Sequence, residues 1–113
     1  MSTDYELLNL ADYKKPDVIR YLMDNYNTLC RWRDTGNSVA HSIIIDLDTC
    51  LEHEYLKDTQ KRALIGFYKE GYTLSELADY NHITAEGVRL RILGGIDRMH
   101  DLLNGNAKGH TLY

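Results

Sequence analysis

Between Gly71 and Met99 the chain reads GYTLSELADYNHITAEGVRLRILGGIDRM, and this stretch carries two helix starts with room for only one short helix between them. Thr73-Leu74-Ser75-Glu76 has the form of a capping box, in which the Thr73 hydroxyl and the Glu76 carboxylate satisfy each other's orphaned backbone N–H groups. A helix begun there runs through Leu77 and Ala78 until Asn81-His82-Ile83 interrupts it, and Thr84 offers a second N-cap. From Val88 the apolar positions recur as Val88, Ile92, Ile96, Met99 and Leu103, which keeps one helix face buried. The pattern predicts a short helix, a tight turn and a longer helix: a helix-turn-helix unit.

The rest of the chain sets the frame for that unit. With 113 residues, 43% of them hydrophobic and a single proline, the chain can bury one core and is expected to fold as one all-α domain of about five or six helices. Residues 1–58 read as acidic N-terminal helices, 59–103 as the helix-turn-helix region packed on them, and 104–113 as a flexible tail. Pro16 suits the first position of a helix whose stripe is Val18, Ile19, Leu22, Tyr26, Leu29 and Arg33, with Trp32 near its end as a core or interface anchor. Asp34-Thr35-Gly36-Asn37 is a loop, and Ser38 can cap a helix with the stripe Val39, Ile43, Leu47, Cys50 and Leu51. A further short helix is expected over Tyr5 to Tyr13. No apolar run approaches a membrane span and no signal pattern opens the chain, so a cytoplasmic protein is expected, with Cys30 and Cys50 as buried free thiols.

The region from about Ile43 to Leu103 resembles the C-terminal helix-turn-helix of bacterial sigma factors, region four, and the small phage transcription activators built on it. The pattern of that family, Thr-Leu-x-Glu-x-Ala, a turn, then an apolar residue and Thr-x-Glu-x-Val-Arg, is met by Thr73, Leu74, Glu76, Ala78, Ile83, Thr84, Glu86, Val88 and Arg89. The segment Thr59 to Glu70, closed by Gly71, is similar to the helix that precedes the motif. The resemblance implies double-stranded DNA and bacterial RNA polymerase, or a sigma factor, as partners, with a homodimer compatible and no cofactor or metal. It places Thr84, Ala85, Glu86, Arg89 and Leu90 nearest the bases and Lys61, Arg62, Thr73 and Leu74 near phosphate.

The chain also departs from that pattern. Where the family carries long donors for guanine and phosphate, it has Ala85, Gly87 and Leu90, leaving Arg89 and Arg91 as the nearby cations. A helical wheel turns Leu90, Leu93 and Gly94 outward, and Gly95 inward. The two leucines are candidates for thymine methyl contact or, with Trp32, for a protein interface. Gly95 is expected to allow close helix packing, whereas the outward Gly94 is expected to mark a kink or a close approach by a partner. Residues 59–113 hold 6 acidic and 7 basic side chains against 11 and 6 in residues 1–58, so the motif half lacks the strong basic surplus that counterion release would use.

Enzymatic readings are weaker. Ile43 to Thr49, IIIDLDT, is similar to the first motif of haloacid-dehalogenase-type phosphatases, but the 64 residues after it contain no alternation of strands and helices to build the parallel sheet that chemistry needs. The histidines show no metal-ligand spacing, and no glycine-rich phosphate loop is present. Two functions are expected, in order: a DNA-binding, sigma-region-four-like transcription regulator of phage or prophage origin, and a sigma-like protein-interaction module with little DNA binding of its own.

Overall fold

A computed structural model describes residues 13–113. Six α-helices succeed one another with no strand among these residues: α1 (Pro16–Asp24), α2 (Tyr26–Asp34), α3 (Ser38–Glu52), α4 (Asp58–Leu64), α5 (Leu74–Asn81) and α6 (Ala85–Leu103). A π-helical turn, Ile65–Lys69, extends α4. The helix expected over Tyr5 to Tyr13 lies, Tyr13 apart, outside the described residues. No helix among them is long and apolar enough to cross a membrane.

α6 is the central element and packs against α1, α3, α4 and α5. Its buried residues are Val88, Ile92, Gly95, Ile96, Met99 and Leu102, so the stripe expected from the spacing is present, with Leu102 replacing the half-buried Leu103 at its end. Opposite it lie Ile19, Leu22 and Met23 of α1, Ile43, Ile44 and Leu47 of α3, and Ala63 and Leu64 of α4, all closed off from solvent. Both glycines of the Gly94-Gly95 pair face α4. A Cβ at Gly95 would stand 2.6 Å from Leu64 Cδ1 and 3.3 Å from Gln60 Cβ, and one at Gly94 would stand 2.9 Å from Gln60 Nε2. The close approach at Gly94 is therefore made by the chain's own α4, and neither a kink nor an outside partner is needed to account for it.

The N-terminal helices correct the sequence expectation in four places. The helix from Pro16 is broken at Asn25, whose backbone leaves the helical region (φ −107°, ψ 19°) while its side-chain amide donates to Tyr21 O at 2.8 Å. Asparagine competes for backbone partners in this way, and it ends α1 one residue before α2 begins. The cap of α3 is Asn37, whose Oδ1 accepts from Ala40 N at 2.9 Å, not Ser38. Val39 is 44% exposed and Ala40 takes its place in the buried stripe. Cys50 is buried and Cys30 only partly so, both as free thiols.

Residues 104–113, expected to be mobile, are packed on the domain. Asn106 N donates to Asp101 O (2.8 Å) and Gly105 N to Leu102 O (3.4 Å), a Schellman-type end to α6. The chain then turns back so that Ala107 is buried and Leu112 packs on the core. His53 accepts from Tyr55 N through Nδ1 (3.0 Å), which leaves Nε2 as the donor to Thr111 O at 2.8 Å. Asp46 binds the hydroxyls of both Tyr113 and Tyr13, the latter at 2.7 Å, and Asp48 accepts from Tyr26 (2.6 Å) and Lys69 (3.1 Å). The two carboxylates of the phosphatase-like segment thus sit on a helix and fasten the tail and α2 to it.

This packing leads to two expected outcomes. Gly95→Ala forces the fully buried Leu64 to move, an overpacking that costs about 1–3 kcal/mol and exceeds the helix-propensity gain of about 1 kcal/mol, whereas at Gly94 only the Gln60 amide must shift. Thermal unfolding should show Gly95→Ala melting below the parent and Gly94→Ala at or above Gly95→Ala by several degrees; the reverse order would place the tight contact elsewhere. The second concerns alkali. Burial and then the Asp46 and Asp48 hydrogen bonds hold the Tyr13 and Tyr26 phenols above their ordinary value, burial lifts Tyr68 to about 12, and the Asp101 bond raises Tyr55. Burial likewise pushes the Cys50 thiol up to about 12. An unfolded thiol ionises at about pH 8.5 and an unfolded tyrosine at about pH 10, so the unfolded chain releases protons that the folded chain retains, and stability is full below about pH 8 and declines as pH rises above it. The urea midpoint is expected to hold level from about pH 7 to 8, to begin to fall at about pH 8.5 and to fall more steeply beyond about pH 10.

Candidate nucleic-acid interface

The candidate interface begins with the capping box read from the sequence. Thr73 N donates to Glu76 Oε1 at 2.9 Å and Glu76 N to Thr73 Oγ1 at 3.1 Å, which fixes the start of α5. Its end is equally defined. His82 adopts the left-handed conformation (φ 56°, ψ 43°), its N–H donates to Asp79 O (3.3 Å), and Ile83 N donates to Ala78 O (3.0 Å). These are the two bonds of a Schellman turn, and Ile83 completes it by packing on the core. Thr84 then caps α6, its hydroxyl accepting from Gly87 N at 2.9 Å. A Cβ at Gly87 would meet Thr84 Oγ1 at 3.3 Å and Ile83 Cδ1 at 3.4 Å, so the turn itself accounts for a glycine where the family pattern has a long polar residue.

Caps at both helices and a hydrogen-bonded turn between them set the angle at which α6 crosses α5. Thr84, Ala85, Glu86, Arg89 and Leu90 are all exposed on its first turns, Leu90 at 56%. Leu93 is only half-buried, so the outward face carries one prominent apolar side chain rather than a pair. Trp32, the other interface candidate, is half-buried against the core at the end of α2. Arg89 does not extend freely: its Nε and Nη2 donate to the two carboxylate oxygens of Glu86 at 2.8 and 2.5 Å. The fork lowers the Glu86 carboxyl below its ordinary range and raises the Arg89 guanidinium. Because both groups are exposed, a stronger acceptor can compete for the arginine in water.

The four residues expected near phosphate separate in the structure. The Thr73 hydroxyl is occupied by its cap, and Leu74 packs its side chain on the core, which leaves its backbone N–H at the start of α5 as the group it can offer. Lys61 is half-buried with Nζ 3.4 Å from Glu52 O, so it serves the end of α3. Arg62 is exposed and has no ion-pair or hydrogen-bond partner among the described residues. It lines a pocket of about 230 Å³ with Thr59, Asn81, Val88 and Arg91. Arg91 also lacks a partner among the described residues, so two unpaired guanidinium groups, from α4 and α6, converge on one cleft beside the motif. The sequence marked Arg91 only as a nearby cation. Its pairing with Arg62 depends on how α4 crosses α6, which no local spacing encodes.

Glu70, Glu76 and Asp79 form a second electrostatic feature in the groove between α5 and the π-helical turn; Arg62 lines both clefts, so the cleft shared with Arg91 is cationic and the groove with the three carboxylates is net acidic. No protein family, curated protein or solved structure matches the chain.

The turn supplies its own test. His82 holds a conformation that costs an L-residue about 1–2 kcal/mol and glycine almost nothing, so His82→Gly should raise stability, less the entropy that glycine loses on folding. Thr84→Ala removes an N-cap and should lower stability by about 1 kcal/mol. Urea unfolding of the two variants is expected to bracket the parent; a destabilised His82→Gly would mean the imidazole makes a contact that offsets its backbone strain.

Proposed function

We propose that this protein is a DNA-binding transcription regulator of sigma-region-four-like type, of phage or prophage origin, which acts beside bacterial RNA polymerase. The observation that carries the reading is the doubly capped helix-turn-helix, with one face of the first turns of α6 open to solvent and Thr84, Glu86, Arg89 and Leu90 on it. A helix held in this way fits the major groove of B-DNA, where arginine pairs with guanine, glutamate accepts from cytosine and an apolar side chain meets the thymine methyl. Arg62 and Arg91 supply cations for the flanking phosphates, with the Leu74 N–H at the dipole end of α5 as a further donor. Only a few phosphate contacts are available, so affinity for DNA alone is modest and its salt dependence shallow.

A second reading has its own support in the Glu86–Arg89 fork and in Leu90. Together they make the exposed face of α6 nearly neutral and partly apolar, which suits a protein surface of the polymerase or of a sigma factor. One set of variants distinguishes the two. Under the DNA reading, Arg89→Ala weakens binding to the cognate duplex by about 1–3 kcal/mol and leaves binding to random DNA nearly unchanged, while Arg62→Ala weakens both and flattens the salt dependence. Fluorescence anisotropy with duplexes from the region upstream of the encoding gene cluster, with and without polymerase, provides the measurement. Retained DNA binding in Arg89→Ala and Arg62→Ala, together with loss of polymerase association in Leu90→Ser, would replace the DNA reading with the protein-interaction reading. Leu90→Ser should keep the parent melting temperature in either case, because the side chain fills no core site.

A further inference from the structure

A groove of about 760 Å³ runs between the π-helical turn and α5, on the edge of the motif away from the first turns of α6. Its apolar wall is Ile65 and Leu77, brought together where Gly66 lets Leu77 approach so closely that a Cβ there would lie 2.9 Å from Leu77 Cδ2. Tyr72 and Tyr80 flank it and are 47% and 84% exposed. The π turn shapes this edge. Glu70 N reaches back to Ile65 O at 3.0 Å, a five-residue step. The extra residue rotates the downstream chain by about 100° relative to a continuous α-helix and sets Glu70 at the groove's rim.

The charge of the rim identifies what fits. Glu70, Glu76 and Asp79 line it against the single cation Arg62, and neither Glu70 nor Asp79 has an ion-pair partner among the described residues. Three carboxylates outnumber the one guanidinium, so the groove is net negative and favours a cationic occupant over a phosphate backbone. The exposed tyrosines add flat amphipathic area that orders at low entropic cost, a property of surfaces that receive another chain.

We infer that the groove is a docking site for a partner protein, and that it receives a segment in which a bulky apolar side chain is neighboured by lysine or arginine. The apolar residue enters between Ile65 and Leu77 beneath Tyr80, and the cation lies against Glu70 and Asp79. The inference stands independently of the DNA-binding reading, since it uses none of Thr84, Arg89, Arg62 or Arg91 as a positive determinant.

The test uses the full-length chain labelled with ¹⁵N and two synthetic peptides, one with leucines at helical spacing flanked by lysines and the other with glutamates replacing those lysines. The lysine peptide is expected to shift the amides of Ile65, Gly66, Tyr72 and Tyr80, and the glutamate peptide is not. The double variant Glu70→Gln/Asp79→Asn changes only exposed side chains and should weaken the lysine peptide by about tenfold. Tyr80→Ser should weaken it as well while leaving the spectrum of the free protein folded. Equal binding of the two peptides, shifts centred on Leu90 or Val39, an unaffected affinity in Glu70→Gln/Asp79→Asn, or no binding of the lysine peptide would each overturn the inference. Duplex binding by that double variant reports separately on the DNA face, whose Thr84, Arg89 and Arg91 it leaves intact.

Discussion

The approach of α6 to α4 at Gly94-Gly95 is the contact on which the remaining architecture depends. Two consecutive glycines in a helix interior sacrifice about 2 kcal/mol of propensity. Here they let the long helix settle against Leu64 and Gln60 with no side chain between. Gln60 is itself buried, and its Oε1 accepts from Lys57 N at 3.0 Å, so the same side chain closes the start of α4 and bears on α6. With α4 held at that distance, Ala63 and Leu64 reach the core and Arg62 and Arg91 come to line one cleft. Gly66 repeats the device one turn later against Leu77 of α5. The short α5 is therefore positioned from both sides: by α4 through glycine contacts and by α6 through the hydrogen-bonded turn at His82.

The N-terminal helices and the tail serve this centre in a different chemical manner. Asp46 and Asp48 lie two residues apart near the middle of α3 and gather Tyr13, Tyr113, Tyr26 and Lys69 from other parts of the chain. Hydrogen bonds to ionised carboxylates are among the stronger ones available to a protein, and they hold segments that bury little apolar area of their own. Several of the nine tyrosines are explained in this way: their rings fill gaps at the core's margin and their hydroxyls reach α3.

The features legible in the chain were local. Thr73-x-x-Glu76 and Thr84 identified both caps because a capping box is complete within four residues, and the α6 stripe was visible because a helix buried along one face repeats its period in sequence. Features set by long-range packing were hidden. The break at Asn25 looked like a continuing helix because Tyr26 and Leu29 keep a helical interval across it. The shift of the α3 cap from Ser38 to Asn37 is a choice between two good capping residues side by side. Nothing in NGNAKGHTLY shows that Tyr113 returns to Asp46, 67 positions away. The π turn had no signal beyond Gly71, which marked where the helix ends but not how its last turn is wound.

Under the proposed function, the electrostatic layout would let a motif of nearly zero net charge be selective. Arg62 and Arg91 line one cleft beside α5, Glu70 and Asp79, which have no ion-pair partner among the described residues, line a second that shares Arg62, and Glu86 and Arg89 neutralise each other on the first turns of α6. Under the proposed function, a nucleic acid gains only where its phosphates meet the arginine cleft, and it is repelled if it rolls toward the acidic groove. A basic protein segment meets the opposite field. Segregated charge of this kind adds little affinity while excluding misplaced partners. Arg89 leaves Glu86 most readily for an acceptor that offers the guanidinium two hydrogen bonds at once, as the guanine edge does, and because both groups are exposed the intramolecular pair adds only a small threshold to that exchange.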